Sequence, residues 1–362
     1  MDRKGRKKLV GRVLLDAVLV IGSSVFLLLV LELCFRLVFT LPPGHRQVWR
    51  NTDLVPTPEP DMEFINRPRG GTDPVCNQGF RGTCPVRKKR PGIYRIAVIG
   101  DSVTYGEGVP GNEAYPARLR SLLERRLSKP VEVINAGTPG YDIVQAVAMY
   151  SHRLVQYSPD VVVYGCFSND LETQRIVVVN NVVVGVVPDY SLMPGEIWLP
   201  LWLHERLSRS SYLYDWINFR LLGFLTDDPR ILRDTFNDTV RMRAVKALKK
   251  LKAEAGKRGT ALLVALLPVV VRRHRNPARC GDPGVDSSRW RHYCLYNDRV
   301  LDYVRGLCNR LDIKVADLRL AYVDDGAESV ALSREDPNHP NPKGHELLAR
   351  ALAGPVADLL GR

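Results

Sequence analysis

The sequence predicts a three-layer αβα fold around a central parallel five-stranded sheet, preceded by one N-terminal transmembrane helix. Short, apolar, β-branched runs alternate with amphipathic helical stretches, which is the pattern of a parallel sheet covered on both faces. An apolar run behind a basic N-terminus supplies the membrane helix. The bulk composition agrees. With 362 residues, 45% of them hydrophobic and 25% charged, and only seven cysteines, the chain is neither a disordered tail nor a disulfide-stapled mini-protein. Gly (28) and Pro (25) stand near average use, which excludes collagen-like and low-complexity readings. One large domain, or one with an inserted subdomain, fits the length.

The net charge of +13 is partly concentrated at the start: Arg3, Lys4, Arg6, Lys7, Lys8 and Arg12 precede the first apolar run. Beside a hydrophobic stretch such a cluster is a topology signal before it is a nucleic-acid footprint, and no nucleic-acid partner is expected. Residues 1–12 read as a cytoplasmic tail and 13–41 as the anchor. Ala17–Leu31 is free of charge, and the span reaches the ~20 residues a bilayer requires when Asp16, or Glu32 with Arg36, lies near an interface. Glu32 and Arg36 stand at i, i+4 and can pair. The rival is a cleaved signal peptide, although Thr40-Leu41-Pro42-Pro43 offers no small-x-small cleavage site. With the N-terminus in the cytoplasm, everything after Leu41 lies outside it.

Residues 42–92 carry nine prolines and no sustained periodicity, reading as a linker that becomes ordered as it reaches the domain. The domain proper occupies 93–362. Its strands are Ile93–Ile99, Val131–Ile134, Asp160–Tyr164, Ala261–Pro268 and Ile313–Ala316; its helices are Tyr115–Leu127, Ile143–Tyr157, Val240–Lys257 and Leu295–Leu311. A last helix starts at Pro342 with Asn341 as N-cap, and Gly354-Pro355 should break it. An insertion, 176–239, opens with two apolar runs, Ile176–Val179 and Val182–Val187, around Asn180-Asn181, a tight-hairpin signal. Aromatic residues follow, Trp198, Trp202 and Trp216 among them. The insertion forms either a wall or lid of a substrate pocket, a layer resting on the bilayer interface, or a helical subdomain packed on its own aromatics.

Four places carry polar residues unlike packing. Gly100-Asp101-Ser102 follows the first strand, where a serine at a strand-to-helix turn can expose its hydroxyl; a plain Gly-Asp-Ser turn is the alternative. Asn135-Ala136-Gly137 follows the second strand, where a glycine permits close approach to a backbone N–H, or simply makes a turn. Asn169-Asp170 follows the third; the Asn side chain can donate to an oxyanion or start a helix. Finally, Asp336-Pro337-Asn338-His339-Pro340-Asn341 holds an Asp three residues before a His in a proline-stiffened loop. That is the orienter-and-base half of a triad, or a loop capping the last helix.

Taken in order, Ser102, Gly137, Asn169 and His339 resemble the block residues of the SGNH (GDSL-type) hydrolase superfamily. The resemblance runs from about Asn77 to the C-terminus through VCNQGFRG, GDSVTYGEGV, VEVINAGTPGY, SND and DPNHPNPKGHELLA. It implies a flavodoxin-like fold with Ser102 as nucleophile, His339 as base and Asp336 as orienter. It also implies an oxyanion hole made by the N–H groups of Ser102 and Gly137 and the Asn169 side chain, with no metal or organic cofactor. One departure is visible: Phe167 stands where many members have the glycine of Gly-x-Asn-Asp, which bears on substrate shape more than on activity. The implied protein is a membrane-anchored, extracytoplasmic serine esterase of a bacterial inner membrane, acting in the periplasm on O-acyl esters of a small molecule, lipid or glycan. An O-acyltransferase using the same triad, and a catalytically silent SGNH-like binding module, are the alternatives.

Other polar residues fit plainer roles. His345, inside the last helix, suits packing or a helix-end contact; His152, His204, His274 and His292 lack zinc-like spacing. Asp317, after the last strand, is a second candidate orienter. Arg87-Lys88-Lys89-Arg90 and Arg272-Arg273-His274-Arg275 read as solvated loops. Cys34 and Cys166 read as free thiols, and Cys76, Cys84, Cys280 and Cys294 as two short-range disulfides with three possible pairings.

Overall fold

The computed structural model describes residues 3–38, 53–171, 174–179, 182–188, 203, 206–207, 210–217, 238–270, 288–323, 327–333 and 336–361. The chain divides into two compact units, one formed by Met1–Gln47 with Ile197–Asp227 and the other by Val48–Glu196 with Asp228–Arg362.

In the first unit, helix α1 (Arg3–Val38) includes 28 residues, Gly11–Val38, that are long and apolar enough to cross a membrane; none of that stretch is buried. The expected i, i+4 pair is made: Arg36 Nε lies 2.8 Å from Glu32 Oε1. The further partners of Glu32 lie about 180 positions along the chain and are not encoded in local spacing. Glu32 also accepts hydrogen bonds from Ser211 Oγ and from the N–H groups of Tyr212 and Leu213, at the start of the short helix α5 (Tyr212–Ile217). Arg36 donates to the Ser210 carbonyl and lies over the Tyr212 ring.

The second unit is built on a parallel sheet of five strands: β3 (Tyr94–Gly100), β4 (Val131–Gly137), β5 (Val161–Cys166), β8 (Ala261–Leu266) and β9 (Lys314–Asp317). Their spatial order is β4-β3-β5-β8-β9. All five strands expected from sequence are in this sheet. The period-2 alternation of side chains sorts the core into two layers. Ile96 and Val98 of β3 and Val161 and Val163 of β5 pack against α3 (Tyr115–Leu127) and α9 (Pro342–Leu359). Ala97, Ile99, Val162 and Tyr164 face α4 (Ile143–Met149), α6 (Asp238–Gly256) and α7 (Ser288–Arg310). The result is an αβα sandwich, with the strand order reversing beside β3.

Helix α3 has the bounds read from sequence. Helix α4 continues through a π turn, Tyr150–Leu154, and a 3-10 turn to Tyr157, as expected. Its N-cap is Asp142, which accepts from Val144 N and Gln145 N while the Gln145 side chain accepts from Asp142 N, a reciprocal capping box. The break expected at Gly354-Pro355 does not occur. Helix α9 runs to Leu359 with Pro355 inside it. The buried stripe Leu348, Leu352, Ala353, Val356 and Ala357 spans the proline, and packing of this face outweighs the one lost backbone hydrogen bond.

The segment read as linker carries two short strands, β1 (Leu54–Pro56) and β2 (Phe64–Asn66), paired antiparallel. It contributes Leu54, Met62, Phe64 and Phe80, all buried, to the α4-side core. The insertion opens with an antiparallel pair, β6 (Gln174–Val179) and β7 (Val182–Pro188), on either side of Asn180-Asn181. Trp198, Trp202, His204, His274, the Arg272–Arg275 run and Cys280 lie outside the described residues. Cys76 and Cys84 form a disulfide, and Cys294 is disulfide-bonded; Cys34, Cys166 and Cys308 are free thiols.

Candidate active site

The C-terminal ends of three adjacent strands meet in register: Gly100 of β3 pairs with Gly137 of β4 and with Gly165 of β5. Crevices beyond such strand ends, beside the point where strand order reverses, are where open α/β sheets bind ligands. Ser102, Gly137 and Asn169 all leave the sheet along this edge.

Ser102 opens the one-turn helix α2 (Ser102–Tyr105). The turn into it is tight. Gly100 has φ +153°, and a Cβ there would stand 2.3 Å from Thr104 Oγ1 and 2.6 Å from the Gly165 carbonyl oxygen. Asp101 caps the helix by accepting from Val103 N at 2.9 Å. The far end is held by Arg81, which donates to the carbonyls of Tyr105, Gly106 and Val109 while paired with Asp73. Asn135 adds a bond from Nδ2 to the Tyr105 carbonyl at 3.1 Å. The nucleophile candidate therefore sits on a helix fixed at both ends by buried polar groups. Arg81, from the lead-in segment, was not singled out by sequence reasoning; only its place in VCNQGFRG hinted at it.

His339 lies on β11 (Asp336–Pro340), which pairs antiparallel with β10 (Ala331–Ser333), the strand that follows the one-turn helix α8 (Ala327–Val330). The expected loop is thus a two-stranded ribbon. Proline is tolerated there because such a ribbon has open edges and its register is irregular between Ala331 and Ser333. His339 Nε2 stands 2.9 Å from Ser102 Oγ, and both residues are buried. Asp336 is on the same strand; its side chain lies outside what is described. Asn341 caps α9 as expected, accepting from Lys343 N and Gly344 N.

Gly137 is packed against α2: a Cβ would lie 2.3 Å from Tyr105 N. Its N–H donates to Asn135 Oδ1 at 3.1 Å, a bond sequence reasoning did not foresee. Asn169 lies in the 3-10 turn Ser168–Leu171, and its Oδ1 is enclosed without a hydrogen-bond partner among the described residues. Phe167, the departure from the family pattern, turns inward and is fully buried in the α3-side core with Val103 and Tyr115, so it does not line the site.

Asp101 and Glu107 lie near His339, and a third carboxyl group, Asp170, lies near Asp101. Burial pushes the Asp101 carboxyl up to about 6, opposed by the nearby His339 charge. Asp170 is buried, accepts from Tyr164 OH at 2.8 Å and Phe167 N at 3.2 Å, and is held well above the carboxylate range by burial and by the charge of Asp101. Glu107, five residues after Ser102, brings Oε2 to 3.9 Å from His339 Nε2. The sequence signal for Glu107 was only its position within GDSVTYGEGV.

The alternative candidates go elsewhere. Asp317 is engaged by Arg319 and Arg305, and although burial opposes it, the Arg319 guanidinium holds its carboxyl below the usual range. His345 accepts from Tyr115 N, the helix-end contact expected of it, and burial pushes its imidazole down to about 3. His152 is exposed. In the basic run, Lys89 pairs with Asp160 and the Arg87 carbonyl accepts from Arg95, so part of it is docked. Among the described residues no group of three or more His, Cys, Asp or Glu side chains is placed to hold a metal ion.

No family profile and no curated protein matches the chain. Distant likenesses exist among solved structures. An α/β hydrolase enzyme from the metagenome of Lake Arreo, Spain, is 16% identical with a TM-score of 0.42, covering 76% of this chain and 99% of that one. A protein described as lipolytic, of the G-D-S-L family, from Desulfitobacterium hafniense is 12% identical with a TM-score of 0.40, covering 72% and 98%. The acetylxylan esterase Axe2 from Geobacillus stearothermophilus is 14% identical with a TM-score of 0.41, covering 72% and 92%.

Proposed function

We propose that this chain is a membrane-anchored serine hydrolase of the SGNH type that cleaves O-acyl esters outside the cytoplasm. The observation that carries the reading is the 2.9 Å approach of His339 Nε2 to Ser102 Oγ, from residues 237 positions apart, at the carboxyl edge of a parallel sheet.

In the proposed reaction Ser102 Oγ attacks the ester carbonyl carbon while His339 Nε2 takes the hydroxyl proton. The tetrahedral oxyanion is stabilised by the Ser102 N–H and the Asn169 amide, each such donor contributing about 3–4 kcal/mol. The Gly137 N–H already donates to Asn135 Oδ1 and must share its hydrogen, so it carries the smaller part. The C–O bond to the alcohol then breaks, and Nε2 returns its proton to the departing oxygen. Water attacks the acyl-serine with His339 again accepting the proton, which releases the acid and restores Ser102. Asp336 is assigned to orient the imidazole through Nδ1, and Asp101 keeps the nucleophile helix in register by capping it.

The basic cluster at 3–12 supports a topology with the N-terminus of α1 inside and the hydrolase unit outside. Retention of α1 is supported by Glu32 and Arg36, whose partners at 210–213 would lose them if the helix were cleaved off.

The test is a panel of chromogenic esters on the purified full-length protein, with and without an oligosaccharide acceptor. Hydrolysis that Ser102→Ala and His339→Ala abolish, and that Asn169→Ala lowers by roughly 10²–10³, is the expected result. Turnover persisting in Ser102→Ala would refute the assignment. Acyl transfer to the acceptor in place of hydrolysis would move the reading to an acyltransferase.

A further inference from the structure

The unit formed by 1–47 and 197–227 holds a feature that the hydrolase reading does not use. Val25, Leu28, Leu29, Glu32 and Arg36 recur every three or four residues, so they share one face of α1. Together with Leu213 and Ile217 of α5 they line an open crevice of about 420 Å³. Along α1 the lining passes from apolar, Val25 to Leu29, to charged at Glu32 and Arg36. Resting on the membrane-anchor reading above, we propose that this crevice binds one phospholipid of the outer leaflet. An acyl chain lies between α1 and α5, and the phosphate sits on the Arg36 guanidinium.

Depth is the first reason. Gly11–Val38 extends about 42 Å at 1.5 Å per residue, against a hydrocarbon core of about 30 Å. Val25 therefore stands near the bilayer midplane and Arg36 among the head groups. The helix between them is about 16 Å long, which is the acyl depth of one leaflet. The chain itself gains little by entering, because bulk lipid is as apolar as leucine, so selection falls to the head group. There the charge is lopsided: the Glu32 side chain is 18% exposed and that of Arg36 50%. Both Glu32 oxygens are occupied, by Arg36 Nε, Ser211 Oγ and the N–H groups of Tyr212 and Leu213. Arg36 Nη2 donates to the Ser210 carbonyl, while Nη1 makes no hydrogen bond among the described residues. A phosphate oxygen suits that remaining donor. A second copy of α1, the other apolar body at this depth, brings no anion to it, since its own Glu32 is engaged.

The experiment reconstitutes the full-length protein into phosphatidylcholine vesicles containing one of two photoactivatable probes, and maps the adducts by mass spectrometry. The probes are a phosphatidylglycerol and a diacylglycerol, each with a diazirine midway along one acyl chain. Adducts at Leu28, Leu29 and Leu213 are compared with those at Leu27, which is exposed on the opposite face of α1. The crevice-to-Leu27 ratio should be about fivefold higher for phosphatidylglycerol than for diacylglycerol, the worth of one arginine–phosphate contact near the surface. Leu28→Trp, which fills the crevice, should lower the adducts at Leu29 and Leu213 and leave those at Leu27 unchanged. Equal ratios for the two probes, or adducts spread evenly around α1, overturn the proposal without using any variant. Adducts that Leu28→Trp leaves unchanged overturn it as well. A crevice without adducts in a protein that elutes as a dimer would assign the space to a second copy and overturn it too. Release of the protein from vesicles by carbonate would instead overturn the anchor reading, so the two failures are distinguishable.

Discussion

Replacing Gly137 by alanine should displace Ser102, the proposed nucleophile, without removing any hydrogen-bonding group. A Cβ at this position would lie 2.3 Å from Tyr105 N, 2.6 Å from Thr104 C and 2.9 Å from Thr104 Cβ. Ordinary carbon contacts need about 3.5–4.0 Å, so the strand and helix α2 must separate by roughly 1 Å. Two of the three atoms are backbone, and no rotamer change relieves them. Helix α2 is also pinned at its far end by Arg81 and Asn135, so the shift is resisted rather than absorbed. Overpacking of this kind costs about 1–3 kcal/mol, and at about 2–4 °C per kcal/mol the melting temperature should drop by roughly 3–10 °C. A 1 Å misplacement of a reacting group costs about 10² in rate, which is the expected loss in kcat/KM on a small acetate ester. Because alanine keeps the 137 N–H, such a loss reports the displaced helix and not a missing donor. Differential scanning fluorimetry alongside steady-state kinetics of the purified protein gives both quantities. Unchanged melting temperature and activity would refute the packing argument. A lowered melting temperature with full activity would refute the claim that α2 positions the nucleophile.

Other outcomes follow from the buried charges and the anchor. Asp170→Asn keeps one oxygen able to accept from both Tyr164 OH and Phe167 N but abolishes ionisation beside Asp101. A carboxyl whose folded-state pKa is raised binds its proton more tightly folded than unfolded, so its contribution to stability falls as pH climbs from the unfolded value of about 4 through the folded one. Asp170→Asn should therefore be more stable than wild type at pH 8, by on the order of 1–3 kcal/mol, with the gap closing towards pH 4; a gap that widens on acidification contradicts the assignment. Asp142, which burial pushes up to about 6, caps α4 and pairs with Arg243 at 2.9 Å. Asp142→Ala loses the cap and strands the arginine, and urea denaturation should show a loss of about 2–4 kcal/mol; a loss under 0.5 kcal/mol would exclude the capping role. A phosphatase fused after Arg362 should be active outside the cytoplasm, with the protein resisting carbonate extraction. A mature chain beginning near Pro42 would show that α1 is a signal peptide instead.

Much of this architecture is readable in the residues because it is local. The β-branched runs mark all five strands, and the bounds of α3 follow from its amphipathic pattern and Pro116 near its start. Asn180-Asn181 marks the β6–β7 hairpin. What escaped depends on distant partners. Leu54, Met62, Phe64, Ile65 and Phe80 have no periodicity of their own and are buried by a core whose other buried residues come from 97 to 313. Pro355 is a helix breaker by local rule, overruled by the packed stripe around it. At the site, Ser102 and His339 stand out in the sequence because their motifs are short and ordered, and the fold brings them to 2.9 Å of each other. Glu107 was not singled out and Asp170 was named only beside Asn169, with no role of its own, since a glutamate in a glycine-rich turn and an aspartate after an asparagine read as ordinary loop chemistry. Their proximity to His339 and to Asp101 is something spacing along the chain does not encode.

The central claim is that Ser102 is a nucleophile activated by His339. It is tested most directly by treating the full-length protein with a fluorophosphonate probe and mapping the modified peptide by mass spectrometry. The account predicts stoichiometric phosphonylation of Ser102, absent in Ser102→Ala and slowed at least 10²-fold in His339→Ala, since the hydroxyl then lacks its base. Full labelling of the Ser102→Ala protein, or modification mapped to another residue, would contradict it.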